Sequence, residues 1–153
     1  MATEARRARR RRQRARKRER KAENEIVVIE CDYCGKPSEL KTGADVYPHR
    51  PDLSGKVFWC CDPCEARVGC HPDTVKPLGR LANEQLRALK IAAHAKFDLI
   101  WKTNQMRRKD AYAWLSNELD IPVKYTHIGM FDEDMCERTI EACNERNRER
   151  ITA

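Results

Sequence analysis

The pattern of apolar and polar positions changes twice along the chain of 153 residues. Residues 1–24 carry no apolar stripe. Residues 25–79 contain short β-branched runs separated by most of the Pro and Gly residues, and residues 80–150 have apolar side chains every three or four positions. A period near 3.6 is typical of amphipathic helices, whereas short β-branched runs favour strands. The pattern therefore predicts an arm, a β-rich region and a helical region.

The helical region predicts three helices around one apolar core. The first begins after Asn83, whose side chain can accept a hydrogen bond from the first turn. The second covers about residues 108–119 and ends before Pro122, and the third begins near Asp132. The apolar face of the first helix consists of Leu86, Leu89, Ala93, Phe97, Ile100 and Trp101.

The β-rich region contains three extended segments. Residues 26–29 form a β-branched run, residues 39–47 contain a Thr42-Gly43 turn between two short extended pieces, and residues 56–60 form another β-prone run. The first and last runs each lead into a pair of cysteines. This order of strand, cysteine pair, hairpin, strand and cysteine pair predicts a zinc ribbon.

Two C-x-x-C pairs carry the strongest chemical signal in the sequence. Two residues between thiols let a tight turn aim both sulfurs at one point, and two such turns make a tetrahedral thiolate site that suits Zn²⁺. The sequence therefore predicts one structural zinc ion held by Cys31, Cys34, Cys61 and Cys64. Such a site is closed to water, so we expect no catalytic role for the ion.

The residues around these pairs leave alternatives open. Cys60 adjoins the second pair and can replace its first member with a longer spacing, while Cys70 and His71 follow closely enough to supply a ligand or a supporting contact. Gly35 after the first pair allows the backbone turn that such sites need. Glu65 stands at the corresponding place after the second pair.

Charge is strongly segregated along the chain. Residues 1–21 hold ten Arg and two Lys against two Glu, a net charge of +10. The remainder, residues 22–153, which we call the body, therefore carries −3 of the total of +7. Helix propensity in this arm is high, but its like charges repel. We expect the arm to be disordered or partly helical alone and helical on a polyanion. Its predicted nucleic-acid-binding residues are Arg6, Arg7, Arg9, Arg10, Arg11, Arg12, Arg14, Arg16, Lys17, Arg18, Arg20 and Lys21.

Several protein classes are disfavoured by the same pattern. The longest apolar runs have five residues, far fewer than the roughly 20 that span a bilayer, and the charged N-terminus lacks the apolar segment of a secretory signal. We expect a cytoplasmic protein with no membrane contact and no small-molecule substrate. In a reducing compartment, clustered cysteines are typical of metal sites rather than disulfides.

These features together predict an α+β protein with three regions. The basic arm occupies residues 1–24, a zinc-ribbon-like region of short antiparallel strands with two cysteine knuckles occupies residues 25–79, and a helical region packed on the ribbon occupies residues 80–150. Two cationic clusters on the body are further candidates for phosphate contact. They are Arg50, Lys56 and Arg67 near the ribbon, and Lys102, Arg107, Arg108 and Lys109 between the helices.

Several motifs resemble those of a known family. They are Cys31-x-x-Cys34-Gly35, residues 47–53 (YPHRPDL), Cys61-x-x-Cys64, and residues 68–71 (VGCH), 77–79 (PLG) and 127–132 (HIGMFD). Over about residues 31–143 the chain is similar to a small zinc-finger-containing domain of unknown function found in bacterial and phage proteins. The resemblance implies a zinc-binding module of phage or prophage type, in which Cys61 rather than Cys60 is the ligand. It also implies that the cell is bacterial or phage-infected. The arm, outside this range, is similar to the Arg-rich arms of phage antiterminators.

The favoured function is nucleic-acid binding, with the arm gripping phosphates of DNA or RNA. One alternative is a protein-interaction module that docks on a host machine such as RNA polymerase, which predicts exposed apolar surface around Phe58, Trp59 or Trp101. Another is an HNH-like nuclease, because His49 lies between the cysteine pairs. That chemistry needs further His or Asn groups to hold a metal, which this stretch lacks, so we expect no enzymatic activity.

Overall fold

A computed structural model describes the backbone of residues 2–24 and 27–153, and the side chains of residues 4–17 and 27–153. The protein is α+β, as predicted. Its first elements are helix α1 (Ala2–Asn24), strand β1 (Glu39–Thr42), helix α2 (Gly43–Val46), and strands β2 (Val57–Cys61) and β3 (Ala66–Gly69). Its later elements are helices α3 (Glu84–Lys102), α4 (Arg108–Leu119) and α5 (Glu133–Thr152). Short 3-10 turns occupy Pro51–Leu53, Val123–Tyr125 and Ile128–Met130.

The three strands form one antiparallel sheet in the order β1-β2-β3. In its register Trp59 of β2 lies between Leu40 of β1 and Val68 of β3. The central strand β2 is half-buried at its start and fully buried over its last three residues. Cys61 is the last residue of this central strand and lies opposite Ala66 of β3, so the sheet positions the first member of the second cysteine pair.

The first β-branched run does not form the predicted strand. Residue 26 lies outside the described residues, and residues 27–29 are irregular. Only Glu30 pairs, in an isolated bridge with Pro37. The chain reverses immediately afterwards, because the Cys31 amide donates to the Lys36 carbonyl at 2.8 Å.

The predicted extended piece after Thr42 is also wrong, because residues 43–46 form helix α2. The Asp45 carboxylate accepts hydrogen bonds from the Thr42 amide at 3.3 Å and from the Thr42 hydroxyl at 2.8 Å. A Thr followed three positions later by an acidic residue is a signal for a helical start. Strand β3 was not predicted at all; it follows the second cysteine pair and folds back on β2, with Ala66 opposite Cys61.

The three later helices begin where the sequence predicts, and α4 also ends there. The Asn83 side chain accepts a hydrogen bond from the Leu86 amide at 2.9 Å, and the Asp132 side chain accepts one from the Met135 amide at 2.9 Å. α4 ends at Leu119, where the next residue takes the left-handed conformation. No helix in the described ranges is long and apolar enough to cross a membrane.

The body contains two separate apolar cores. The larger lies among α3, α4 and α5 and includes Phe97, Ala111 and Leu115, all at 0 % exposure. Four of the six apolar side chains predicted on the inner face of α3 are buried, and the other two pack partly against this core. The smaller core has five buried residues, which are Cys31, Trp59, Cys61, Ala66 and Leu81. Two of those five are predicted metal ligands, so this core has little apolar material of its own.

Candidate metal centre and charged surfaces

The four cysteines predicted as ligands meet at the edge of the smaller core. Their Sγ atoms all lie within 4.8 Å of one another, and 3.7 Å separates the Sγ atoms of Cys34 and Cys61. Cys31 and Cys61 are buried, Cys64 is half-buried and Cys34 is exposed. All four are free thiols, and 3.7 Å is far longer than the roughly 2.05 Å of a disulfide bond. The fold therefore brings four unpaired sulfurs to one point.

These sulfur positions fit one zinc ion. Sulfurs placed tetrahedrally at about 2.3 Å from Zn²⁺ are about 3.8 Å from one another, which agrees with the 3.7 Å between Cys34 and Cys61. Four thiolates complete the coordination shell and leave no position for water, so the ion is structural. Cys31, Cys34, Cys61 and Cys64 are the residues that would hold it.

The two cysteine turns share a backbone conformation but not a residue type. Directly after the second cysteine of each pair, φ is +70° at Gly35 and +51° at Glu65. Glycine adopts this left-handed region readily, whereas a residue with a Cβ is strained there by about 1–2 kcal/mol. The second turn is thus strained at Glu65, a residue that the sequence already marks as unusual at this place.

Hydrogen bonds shift the pKa values of the clustered thiols in opposite directions. A backbone hydrogen bond from Lys36 lowers the pKa of the Cys34 thiol from 9.0 to about 7. The pKa of Cys64 is raised to about 12, first by its hydrogen bond with Cys34 and then by burial. Four close sulfurs cannot all carry negative charge without a cation. Metal binding to such a set releases protons, so its affinity falls at acidic pH.

The residues that the sequence left open as alternative ligands lie outside the cluster. Cys60 is buried, and its Sγ lies 3.9 Å from the Phe58 carbonyl oxygen. Cys70 is half-buried, and burial raises the pKa of its thiol. His71 is exposed, and its backbone amide donates to the Lys76 carbonyl at 2.9 Å, which closes a loop.

The two residues inside the first cysteine pair attach the metal turn to the helical half, a role that the sequence does not reveal. The Asp32 carboxylate accepts a hydrogen bond from the Leu81 amide at 2.9 Å, and the Tyr33 hydroxyl accepts one from the Asn83 amide at 3.0 Å. Asn83 also caps α3, so the metal turn and the start of α3 share one residue. The partners lie 49 and 50 positions apart in sequence, beyond the reach of any local pattern.

Helix α1 presents to solvent those predicted nucleic-acid-binding residues whose side chains the structure describes. All side chains described in residues 4–17 are exposed, and nine of them are Arg or Lys. Successive residues of an α-helix are rotated by about 100°, so Arg9, Arg10, Arg11 and Arg12 point in four directions around the axis. The side chains of Arg18, Arg20 and Lys21 lie outside the described residues.

The cationic cluster between α3 and α4 already has local partners. Lys102 forms an ion pair with Asp98 at 3.3 Å, and Arg107 forms one with Asp110 at 2.8 Å. The guanidinium of Arg108 lies over two aromatic rings, at 5.2 and 5.7 Å from their centroids. These contacts compete with phosphate, so this cluster is a weaker candidate for polyanion contact than the arm.

A small α+β fold closed by four clustered cysteines defines a zinc-finger type of protein. The sequence matches the profile of a family described as a zinc-finger-containing domain over residues 27–146. Because that match spans most of the chain, the chain belongs to this family, whose function is unknown. The resemblance drawn from the cysteine pairs and the later motifs is thereby confirmed, and the arm lies outside the matched residues. No curated protein and no solved structure gives a significant match.

Proposed function

We propose that the chain is a zinc-stabilised nucleic-acid-binding protein of phage or prophage type, which grips phosphates with its basic arm. The observation that carries the proposal is the segregation of charge, with +10 in residues 1–21 and −3 in the remainder. Phosphate neutralisation by Arg and Lys is the main source of affinity for nucleic acids without sequence preference. The arm concentrates that chemistry in one exposed segment.

The geometry of α1 supports contact with phosphates on more than one side. Its 23 residues extend for about 34 Å at 1.5 Å per residue. Cations surround the helix instead of forming one stripe, so a helix lying in a groove meets phosphates on both walls. Like charges one turn apart, such as Arg6 and Arg10, repel each other, and bound phosphates relieve that repulsion.

The charge of the body supports a division of roles. Four thiolates with one Zn²⁺ add a net −2, which takes the body from −3 to −5. A body of that sign repels a polyanion at long range. In this proposal the metal stabilises the fold of the body, and the arm supplies the charge-driven affinity for nucleic acid.

The proposal is tested by neutralising part of the arm without breaking its helix. We would compare the wild type with two quadruple variants at Arg9, Arg10, Arg11 and Arg12. All four residues are replaced by Ala in the Ala variant and by Lys in the Lys variant. Alanine keeps helix propensity high and removes four charges, whereas lysine keeps the charges. Binding to duplex DNA and to hairpin RNA is measured by fluorescence anisotropy across a salt series.

If about six arm charges contact a duplex, the slope of log K against log[salt] is near −5 in the wild type. The Ala variant is expected to lose about 3–4 units of that slope, and the Lys variant is expected to keep it. Equal slopes for the wild type and the Ala variant would reject the arm as the phosphate-binding element. A difference between the DNA and RNA series separates the two kinds of polymer.

A second candidate function, docking of a protein partner on the body, has one observation in its favour. Val123, Tyr125 and Met130 are 54 %, 61 % and 56 % exposed, on the segment between α4 and α5. The patch expected around Phe58, Trp59 and Trp101 is not found there, because Trp59 is 7 % exposed and the other two rings are half-buried. Replacing Tyr125 and Met130 with Ser should abolish capture of a defined host protein while leaving arm-driven binding unchanged.

His49, the basis of the nuclease hypothesis, is exposed and lies near the Tyr47 ring, with 6.4 Å between the ring centroids. Within the described part of the chain it belongs to no group of three or more potential metal ligands. No observation on this surface favours the nuclease hypothesis over nucleic-acid binding.

A further inference from the structure

A groove of about 460 Å³ lies between the sheet and α3, away from the metal centre. Phe58 and Arg67 line it from β2 and β3, Leu78 lines it from the loop before α3, and Arg87, Lys90 and Ile91 line it from α3. Pockets for small ligands typically have volumes of roughly 300–1,000 Å³. The groove is therefore large enough for a ligand of the size of one nucleotide.

The charge of this groove is opposite to that of the body around it. Its lining includes four cationic side chains, Arg67, Arg80, Arg87 and Lys90, and no carboxylate. A neighbouring cavity of about 510 Å³ is lined instead by Asp132, Glu133, Asp134 and Glu137, with Arg80 between the two. Arg80 also forms an ion pair with the Asp32 carboxylate at 3.9 Å. On a body with a net charge of −3, the other three cations around this cavity form a local site for an anion.

These cations are held in position and still have N–H groups to donate. Arg87 Nη1 donates to the carbonyl of Ala82 at 2.6 Å, and Lys90 Nζ donates to the carbonyl of Gly129 at 2.6 Å. A guanidinium has five N–H donors and an ammonium has three, so these contacts use only part of their capacity. Burial lowers the pKa of Arg87, with a further contribution from the nearby Arg67, and burial also lowers the pKa of Lys90. An anion in the groove would favour the charged forms of both side chains and so raise both pKa values.

The walls of the groove suit a flat apolar group. The Phe58 and Tyr47 rings meet edge to face with 5.5 Å between centroids, and the Arg67 guanidinium lies 4.6 Å from the centroid of the Tyr47 ring. Leu78, which lies beside Phe58 near Gly69, is 56 % exposed, and Ile91 on the α3 side of the groove is 70 % exposed. Arg67 was predicted to form a cluster with Arg50, but Arg50 forms an ion pair with Asp52 at 2.8 Å and does not line this groove.

We propose that this groove binds one unpaired nucleotide, with the base against the apolar and aromatic walls and the phosphate among Arg67, Arg87 and Lys90. Stacking on aromatic rings and guanidinium planes, together with phosphate contact, is how proteins hold bases in single strands. A paired base is not accessible to such walls. The inference rests on the proposed function. The arm contacts the phosphate backbone of any nucleic acid, and the groove adds a preference for segments with unpaired bases.

The test places a negative charge in the groove without disturbing the core. Ile91→Asp replaces an exposed side chain of α3 at the groove, and Leu99→Asp replaces a side chain that is 54 % exposed on the same helix but outside the groove. Both variants of the full-length, zinc-loaded protein change the net charge equally, so general repulsion is matched. Each is measured against an RNA hairpin with an unpaired loop and against a fully paired duplex of the same phosphate count.

Ile91→Asp is expected to weaken hairpin binding about tenfold relative to Leu99→Asp, the size expected for like charges roughly 10 Å apart at an effective dielectric constant of about 20. Duplex binding by the two variants should be equal. Where the wild type binds the hairpin, equal hairpin affinities for the two variants would overturn the proposal and leave the role of the arm standing.

A second experiment titrates the protein with free AMP and monitors the backbone amides by NMR. It tests whether the groove binds a nucleotide that is not part of a strand, and its result does not depend on the arm. Chemical-shift changes confined to residues such as Gly69 and Ile91 would support nucleotide binding in the groove. They would do so even if the wild type bound neither polymer, in which case the proposed role of the arm would be rejected and the groove proposal would stand. AMP shifts absent from these residues, together with no hairpin preference, reject the groove.

Discussion

The arm and the body of this protein differ in almost every physical property. Residues 1–21 carry a net charge of +10, and every side chain described in residues 4–17 is exposed. The body carries −3 and contains two apolar cores and a four-sulfur cluster. The arm therefore has a high positive charge and no buried side chain among those described, whereas the body has buried cores and a net negative charge. Under the proposed function, this contrast separates affinity for a polyanion from stability of the fold, and each prediction tests one side of that separation.

The largest effect is expected from removal of the metal, which tests whether the body is uniformly stable. The smaller core has only three buried residues besides two of the ligands, and structural zinc contributes on the order of 10 kcal/mol in small domains. Chelation should therefore unfold the sheet while α3, α4 and α5 keep their own core. Hydrogen exchange should show rapid exchange of β1–β3 amides and continued protection in α3 and α5.

Cys34→Ser should reproduce the effect of chelation, whereas Cys70→Ser, at a half-buried cysteine outside the cluster, should leave the sheet protected. Sheet amides that stay protected after chelation would show that the zinc is dispensable for the fold.

The next largest effect concerns the larger core, where the described residues form no cluster of potential metal ligands. Phe97 is 0 % exposed, and its ring meets that of Tyr112 with 4.9 Å between centroids. Phe97→Ala should lower the free energy of unfolding by about 3–5 kcal/mol, measured by urea denaturation of the zinc-loaded protein. Ile151→Ala, at a side chain that is 77 % exposed, is the control and should change it by less than about 0.5 kcal/mol. Similar losses for the two variants would show that α3 does not support the core as described.

A smaller effect is expected where the loop before α3 passes the turn before α5. An ideal Cβ on Gly79 would lie 2.1 Å from the Gly129 carbonyl oxygen, whereas one on Gly55 would meet no atom within 4 Å. Gly79→Ala should therefore destabilise the body by about 1–3 kcal/mol, and Gly55→Ala should not destabilise it. The comparison is made by thermal denaturation, and equal melting temperatures would contradict the close approach of the two backbones.

The smallest expected effect is a gain in stability at the second cysteine turn. Glu65 has φ of +51°, so Glu65→Gly relieves strain and should stabilise the zinc-loaded protein by about 0.5–1 kcal/mol. Glu137→Gly, at an exposed position inside α5, should instead destabilise it by about 1 kcal/mol. A loss of stability in both variants would mean that the Glu65 side chain contributes more than its backbone strain costs.

The features that were predicted correctly from the sequence are those with local causes. Asn83 and Asp132 cap α3 and α5 through residues three positions away, and the apolar period of α3 needs no partner to be recognised. The cysteine pairs are also local, because a two-residue spacing is enough to place two sulfurs together.

The features that were missed depend on distant partners or on weak local signals. β3 exists because it pairs with β2, and the attachment of the metal turn to α3 depends on Asp32 and Tyr33, whose partners are 49 and 50 positions away. The start of α2 did have a local signal, in Thr42 and Asp45, but a Gly after Thr42 favoured a turn. The groove has no sequence signal, because its walls come from the sheet, a loop and α3.

The central claim, that the arm supplies the charge-driven affinity, is tested most directly by one salt series. Full-length protein and a variant lacking residues 1–24 are measured on the same duplex, both loaded with zinc. We predict a steep slope for the full chain, near −5 if about six charges engage, and a slope near zero for the shortened chain. A shortened chain that keeps the steep slope would contradict the account and move phosphate binding to the body.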